Sequence, residues 1–260
     1  MKILVINIGN TNTQYGIYSA GEVHRIRYLP TSDFLKSIKN IPELLSGIPV
    51  AVSTVVPAAK KILSGKNIFW VGTSGKLPVS LRKVDSSTLG ADSIANIAAV
   101  VKSAKLPAIV IDCGTAITID AVNGKSEFLG GSILPGRMLL RKSLNDFTAQ
   151  LPLVDLSDSK PKALGRNTRD AILSGTDLAV LGSIKEILSR IKLEMKVEKC
   201  TVIATGGDAG FFIRNIKSLK PGGKELTLLG IAACWDAEIN SKIQNPNKTQ
   251  NRKIQTNILK

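Results

Sequence analysis

The sequence predicts an α/β protein built from two duplicated lobes. The main observation is an internal match between VINIGNTNT (residues 5–13) and VIDCGTAIT (residues 110–118), which keeps a constant offset. Each copy is an apolar strand that ends in Asx-x-Gly and is followed by a polar turn and a second strand. A repeat at half-chain spacing is typical of two related lobes that face each other across a cleft. A nucleotide in that cleft would lie between the two turns.

Hydrophobic periodicity places the other elements. Short apolar runs bounded by turn residues predict strands, and apolar residues three or four positions apart predict helices. Beyond the repeats we expect strands at 50–55, 68–71 and 201–204, a hairpin at 123–124, and helices at 91–104, 137–144, 168–191 and 228–237.

The expected boundaries follow from the repeat. The first lobe is predicted at residues 1–105 and the second at 106–239, with the last predicted helix closing the second lobe. Residues 240–260 form a basic tail without acidic residues, a composition that predicts disorder.

The composition indicates a globular protein without a membrane segment. The 260 residues are 43% hydrophobic, which allows a sizeable core. No apolar run reaches the roughly 18 residues that a membrane-spanning helix needs. The start, MKILVINIGN, has too short an apolar run for a signal peptide, so we expect a cytoplasmic protein.

The cysteine and histidine content excludes several kinds of chemistry. Cys113, Cys200 and Cys234 lie far apart without a CxxC pair, which argues against a disulfide framework and against a zinc site. The single histidine, His24, lies in a polar hairpin region and is interpreted as a surface residue. Histidine-based catalysis and most zinc chemistry are therefore excluded.

The net charge of +15 would attract anions, nucleic acid among them. The lysines are spread along the chain, aromatic residues make up only 4%, and no motif interleaves aromatic with basic residues. This pattern favours a solvated basic surface over nucleic-acid binding.

The turn at residues 9–13 could bind a phosphate. Glycine lets the backbone approach an anion closely, and the Asn and Thr side chains offer donors beside exposed N–H groups. Asn7, at the end of the preceding strand, carries no charge, whereas a magnesium-dependent phosphoryl-transfer site would be expected to place a carboxylate there.

Two aspartates are candidates for catalysis or metal binding. Asp92, in TLGADS, is either a first-turn acid favoured by the helix dipole or a general base that accepts a proton from a substrate hydroxyl. Asp112 ends its strand beside Gly114 and Thr115. It is either a cation ligand, with the Thr115 hydroxyl on a phosphate, or a turn aspartate that bonds its own loop.

Taken in order, the motifs resemble those of type III pantothenate kinases, a bacterial family of the acetate kinase, heat-shock ATPase and actin superfamily. The resemblance runs from residue 1 to about residue 237. It is carried by GNTNT near the start, LGAD at 89–92 with Asn96 following, IDCGTAIT at 111–118, GGSILPG at 130–136, GRNTRDAILSG at 165–175 and IATGGDA at 203–209.

The resemblance implies two ribonuclease H-like (actin-like ATPase) lobes with a nucleotide cleft between them. The implied activity is ATP-dependent phosphorylation of pantothenate to 4′-phosphopantothenate, the first step of coenzyme A biosynthesis. Family members use a divalent metal, Mg²⁺, together with ATP, and they are dimers. The implied partners are therefore pantothenate, ATP and a second copy of the chain.

The resemblance also implies roles for individual residues. Asp92 would be the proton acceptor, Asp112 would hold a monovalent cation (K⁺ or NH₄⁺), and Thr115 would contact ATP. The residues implied to bind the ATP phosphates are Asn7, Ile8, Gly9, Asn10, Thr11, Asn12, Thr13 and Gln14. The residues implied to contact pantothenate are Gly90, Ala91, Asp92, Ser93 and Thr168.

The chain departs from the family pattern at three positions. The family has an aspartate where this chain has Asn7, a tyrosine at Lys83 and an arginine at Ser93. An amide lacks the charge that attracts hydrated magnesium, and serine lacks the bidentate cation that suits the carboxylate of pantothenate.

These departures leave alternatives beside an active pantothenate kinase. One is a weakened or inactive paralogue that acts as a ligand-binding or regulatory protein. Another is a kinase for a different small hydroxylated substrate. A nucleic-acid-binding module is suggested by charge alone.

Overall fold

The computed structural model describes residues 2–63 and 68–244. The predicted tail therefore lies outside the described residues beyond position 244, and its residues 240–244 form the end of the last helix. The strands are β1 (Ile3–Ile8), β2 (Asn12–Ser19), β3 (Glu22–Pro30), β4 (Val50–Thr54), β5 (Ile68–Trp70), β6 (Ala108–Cys113), β7 (Ala116–Val122), β8 (Phe128–Pro135), β9 (Thr201–Thr205) and β10 (Lys220–Pro221). The α-helices are α1 (Thr31–Ser37), α2 (Pro42–Leu45), α3 (Pro57–Ile62), α4 (Ala91–Ser103), α5 (Arg137–Asp146), α6 (Thr168–Glu194), α7 (Ala209–Asn215) and α8 (Leu226–Gln244).

The first sheet has the strand order β3-β2-β1-β4-β5. Its central strand, β1, is antiparallel to β2 and parallel to β4. The strand is apolar on both faces because each face is covered. Ile3 and Val5 pack with α4 and α8, whereas Leu4 and Ile6 pack on the other side with Phe34 of α1.

The second sheet repeats this topology. Its order is β8-β7-β6-β9-β10 when read from the β8 edge, and β6 is antiparallel to β7 and parallel to β9. One face packs against α6 and α7. The predicted α/β class and the duplication of the strand plan are confirmed.

The last helix belongs to the first sheet, which corrects the prediction that it closes the second lobe. The described residues form two compact units, one containing residues up to 102 and from 225 onwards, the other residues 103–224. Leu228 and Ile231 of α8 lie in the same apolar cluster as Ile3 and Val5 of β1. Periodicity predicts the helix but carries no information about which sheet it covers.

Close packing explains why α8 fits beside α4. A methyl group at Gly230 would overlap the backbone of Ala95, so the two helices approach as closely as glycine allows. The buried hydroxyl of Thr227 donates to Asn96 Oδ1 at 2.7 Å.

None of the helices within residues 2–63 and 68–244 combines the length and the apolar composition that a membrane span requires.

Candidate active site

The first residue of α1 stabilises the turn between β1 and β2 through hydrogen bonds. Within the turn, the Gly9 N–H donates to the carbonyl of Asn12 at 3.0 Å. The Thr31 N–H donates to the carbonyl of Thr11 at 2.9 Å, and the Thr31 hydroxyl donates to the carbonyl of Gly9 at 2.7 Å. The turn is therefore held in one conformation, with the side chain of Asn10 exposed.

The eight residues predicted to bind ATP phosphates differ in exposure and form three groups. Asn10, Thr11 and Asn12 are exposed and can meet a ligand with their side chains. Thr13 is buried, with its hydroxyl 3.0 Å from that of Thr31, and Gln14 Nε2 donates to the Tyr28 hydroxyl at 2.6 Å. Ile8 is also fully buried, so it can offer only its backbone. Asn7 and Gly9 are half-buried.

Asn7 lies on the face of the first sheet that α4 covers, because side chains alternate along β1 and Val5 faces that helix. Its neighbour on β4 is Ser53, the parallel partner in the register. The Ser53 side chain is fully buried, and its hydroxyl finds no hydrogen-bond partner within the described residues.

Asp92 folds back over the N-terminus of α4. Its Oδ1 accepts from the N–H of Ser93 at 2.8 Å. A methyl group at Gly90 would lie 2.5 Å from the same Oδ1 and 3.9 Å from Val55, the residue that follows β4. Asp92 is half-buried, and the nearness of Gly90 to Val55 places it near the carboxyl end of β4. The parallel strand β1 ends at the same edge, which is where ligands bind in open α/β sheets.

The predicted pantothenate contacts differ in exposure. Gly90 and Ala91 are half-buried beside Asp92, and Ser93 is only 8% exposed. Thr168 is exposed at the start of α6 in the second unit. The cap of that helix is Asn167, which accepts from the N–H of Asp170 at 2.8 Å.

In the second unit, the turn after β6 lies between two glycine turns. On one side, the Gly136 N–H donates to the Thr115 carbonyl at 2.9 Å, and a methyl group at Gly136 would lie 2.6 Å from that carbonyl oxygen. On the other side, a methyl group at Gly206 would lie 2.5 Å from Asp112 Oδ1. The Asp112 carboxylate is half-buried and Thr115 is exposed at the tip of the turn.

Cys113, next to Asp112, is not a nucleophile. Burial, together with the neighbouring Asp112 and Asp208 carboxylates, raises the pKa of its thiol far above the ordinary value. The thiol therefore stays protonated and serves as core packing for β6.

The second unit also contains a buried cluster of charged side chains that the sequence did not predict. Arg137 and Arg141, one helical turn apart on α5, are both fully buried and both bond Asp177 of α6. Arg137 also bonds Asp208, whose pKa is raised by burial and lowered in part by that guanidinium. The available signal was the i, i+4 arginine pair, which resembles an ordinary solvated helix face until its acidic partners are known.

The described residues contain no group of three or more His, Cys, Asp or Glu side chains suited to holding a metal ion. Asp112 supplies a single carboxylate, which suits a cation that takes its other ligands from backbone carbonyls, water or phosphate oxygens. Asn7 supplies an uncharged amide. These side chains thus suit one weakly bound cation better than a metal site in which the protein supplies every ligand.

The sequence comparisons with known proteins agree on one family. The family model for "Type III pantothenate kinase" matches residues 3–190. The type III pantothenate kinase of Moorella thermoacetica is 30% identical over 253 residues, covering 90% of this chain and 98% of its own.

Among solved structures, a conserved Baf family transcriptional activator from Campylobacter jejuni has a TM-score of 0.63 and 22% identity, covering 94% of this chain and 99% of its own. The activator of 2-hydroxyisocaproyl-CoA dehydratase from Clostridium difficile, with bound ADPNP, has a TM-score of 0.57 and 14% identity, covering 93% and 97%. At these identities the likeness concerns the fold alone, which is that of the actin-like ATPases.

Proposed function

Since this chain belongs to the type III pantothenate kinase family, a family of phosphotransferases, we propose that it is an active member and phosphorylates pantothenate with ATP. One observation supports this most. Both Asx-x-Gly turns are formed between paired strands, and Asp92 lies at the start of α4 with its carboxylate held by the Ser93 N–H. The product would be 4′-phosphopantothenate, at the start of coenzyme A biosynthesis.

In the proposed reaction, Asp92 accepts a proton. As the primary hydroxyl oxygen of pantothenate forms its bond to the γ-phosphorus, the bond from that phosphorus to the β–γ bridging oxygen breaks and ADP leaves. The hydroxyl proton passes to the Asp92 carboxylate. Because Oδ1 is engaged by the Ser93 N–H, Oδ2 is the oxygen available for the proton.

The turn at residues 9–12 is the proposed site of the ATP phosphates. The carbonyls of Gly9, Thr11 and Asn12 accept from Thr31 or from within the turn, and the exposed side chains of the turn are amides and a hydroxyl. Such a turn donates hydrogen bonds to an anion without needing a charged side chain. Thr115 is proposed to contact ATP from the second turn.

Two cations are part of the proposal. Asp112 would hold K⁺ or NH₄⁺ beside Thr115, and Mg²⁺ would be carried largely by the phosphates of ATP, since Asn7 offers no charge. The cations supply charge neutralisation on the phosphate oxygens as negative charge moves to the leaving group.

Pantothenate recognition is proposed at Gly90, Ala91, Ser93 and Thr168. In place of an arginine, the buried Ser93 offers only a hydroxyl, and the exposed Lys83 supplies a flexible positive charge on the preceding loop. We therefore expect weak selection for the pantothenate carboxylate and a raised KM for pantothenate.

A second candidate is favoured by Asn7: a ligand-binding protein that has lost turnover. The assay that separates the two measures 4′-phosphopantothenate by mass spectrometry in the presence of ATP, Mg²⁺ and K⁺, alongside calorimetric ATP binding. Product formation supports the kinase. Binding of ATP without product from pantothenate or from a panel of small hydroxylated compounds supports the second candidate.

A homodimer is proposed from large apolar side chains that the second unit leaves exposed. Ile133 at the sheet edge, Phe147 after α5 and Leu164 before α6 are 80%, 88% and 84% exposed. Dimers are what the family resemblance implies, so the proposed occupant is a second copy of the chain. Light scattering after gel filtration should show a dimer that Phe147→Asp dissociates and Leu193→Asp, an exposed leucine at the end of α6, leaves intact.

A further inference from the structure

Two glycine turns enclose the turn that contains Asp112 and Thr115, and each is followed at once by a charged residue. Arg137 follows Gly136 at the start of α5. Asp208 follows Gly206 and Gly207 before α7. These two side chains meet: Arg137 Nη1 lies 2.9 Å from Asp208 Oδ1. The ion pair therefore joins the two segments that flank the turn.

The contact of each flanking segment with the central turn is tight. Gly136 bonds the Thr115 carbonyl through its N–H. Gly206, with φ near +93°, lies where a side chain would strike Asp112, and the Asp208 N–H donates to the Cys113 carbonyl at 3.0 Å. A shift of either segment would move the backbone around Asp112 or release it.

We infer that Arg137 is a positioning residue whose ion pair with Asp208 clamps both glycine turns against the Asp112–Thr115 turn and so fixes the shape this turn offers to ATP. The link to ATP rests on the proposed function, whereas the clamping of the turn stands on the geometry alone.

Arg137 is not itself a ligand-binding residue, because its side chain is fully buried and each of its three nitrogens already donates within the protein. Nε lies 2.8 Å from Asp177 Oδ1 and Nη2 lies 3.2 Å from Asp177 Oδ2. Nη2 also donates to the Ser157 carbonyl, and the guanidinium lies 3.4 Å from the centre of the Phe211 ring. The Arg137 side chain is 0% exposed, so its neighbours fix its position. Its ion pair can therefore hold the Asp208 carboxylate in place.

Arg141 offers a matched control within the same cluster. Its side chain is equally buried and donates to Asp177 Oδ1 at 2.6 Å, to the Asp155 carbonyl at 2.6 Å and to Thr176 Oγ1 at 3.2 Å. It makes no hydrogen bond to Asp208 within the described part of the chain. Disturbing Arg141 therefore perturbs the cluster but leaves the clamp in place.

The test compares Arg137→Lys, Asp208→Asn and Arg141→Lys in the full-length protein. Asp208 is 19% exposed at its side chain, so Asp208→Asn keeps the fold even where an arginine variant does not. The first readout is hydrogen–deuterium exchange of the amides at 112–116 without nucleotide. The second is the Kd for ATP, with KM for ATP and kcat measured separately.

We expect Arg137→Lys and Asp208→Asn to accelerate exchange at 112–116 and to weaken ATP binding about tenfold, with kcat at saturating ATP nearly unchanged. Arg141→Lys should lower Tm yet leave both readouts at the wild-type value. Unchanged exchange in Asp208→Asn, or equal effects of all three variants on ATP, would overturn the inference. A wild type that binds no ATP would instead refute the proposed function, while the exchange data still decide the clamp.

Discussion

Asn7 and Asp112 occupy the same position in two sheets of identical topology. Each is the fifth residue of the central strand, with an antiparallel hairpin partner on one side and a parallel strand on the other. Their parallel neighbours are equally matched, Ser53 beside Asn7 and Thr205 beside Asp112. One member of this related pair keeps a carboxylate and the other carries an amide, so the two strand ends differ in charge. The turns that follow also differ in length, since Asn7 pairs with Gln14 but Asp112 with Thr118.

Restoring a carboxylate at the first position should improve magnesium use. Asn7→Asp keeps the side-chain size and adds a charge at the strand end, so kcat/KM for ATP at limiting Mg²⁺ should rise about tenfold. Initial rates measured across a Mg²⁺ titration check this.

The control adds the same charge elsewhere on the same turn. Asn10 is exposed at the tip, where a carboxylate would face the ATP phosphates, so Asn10→Asp should weaken ATP binding by repulsion. Equal effects of the two substitutions would show that position 7 has no special relation to the metal.

The turn after β9 contains two neighbouring glycines that differ in whether a side chain would fit. Gly206 has φ near +93° and would bring a methyl group to 2.5 Å from Asp112 Oδ1, whereas a methyl group at Gly207 meets nothing within 4 Å. Gly206→Ala should lower the free energy of unfolding by about 1–3 kcal/mol and abolish ATP binding. Gly207→Ala should stay within about 0.5 kcal/mol of the wild type. Urea unfolding and calorimetry measure the two effects, and similar losses in both variants would contradict this description of the turn.

The buried charges should make Asp177 critical for stability. It is 2% exposed and bonds both Arg137 and Arg141, so Asp177→Ala leaves two buried guanidinium groups short of an anion. We expect a loss of about 3–5 kcal/mol in the free energy of unfolding.

An exposed ion pair is the comparison for Asp177. Asp158 bonds Arg214 at 2.7 Å with both side chains at least half exposed, so Asp158→Ala should cost less than about 1 kcal/mol. Chemical denaturation of both variants checks the contrast. A small loss for Asp177→Ala would mean that solvent reaches the cluster.

The contact between α4 and α8 should also carry measurable stability. Thr227→Val keeps the shape but removes the hydroxyl that donates to Asn96 Oδ1, which should cost about 1–3 kcal/mol because that buried oxygen loses a donor. Thr227→Ser keeps the donor and should recover most of the loss. Thermal unfolding of the two variants tests this, and equal stability of both would exclude the hydrogen bond as a contributor.

The sequence was sufficient to predict the duplicated strand plan. The matched segments at 5–13 and 110–118 each contain an apolar strand and a tight turn. The pattern is reliable because the apolar strand residues of both copies are buried: Val5, Ile6 and Ile8 in one, Val110, Ile111 and Cys113 in the other. The position of Asp92 at a helix start was also readable, since Gly90 and the following apolar spacing define it.

Long-range partners were beyond the sequence. The pattern of α8 shows an apolar helix, but only its close approach to α4 at Gly230 reveals that it packs on the first sheet. Arg137 lies 40 residues from Asp177 and 71 from Asp208 in the chain, so no local spacing signals the buried cluster. Residues such as Thr13 were predicted to meet ATP, yet the fold turns that hydroxyl towards Thr31.

The most direct test of the central claim, that this chain is a kinase with Asp92 as its proton acceptor, is the rate of 4′-phosphopantothenate formation by three proteins. These are the wild type, Asp92→Asn, and Asp33→Asn, which makes the same change at an exposed first-turn acid of α1. The account predicts turnover by the wild type and by Asp33→Asn, and a loss of about 10²–10⁴-fold in kcat for Asp92→Asn with ATP binding retained. A wild type without product, or an Asp92→Asn variant as fast as the wild type, would contradict it.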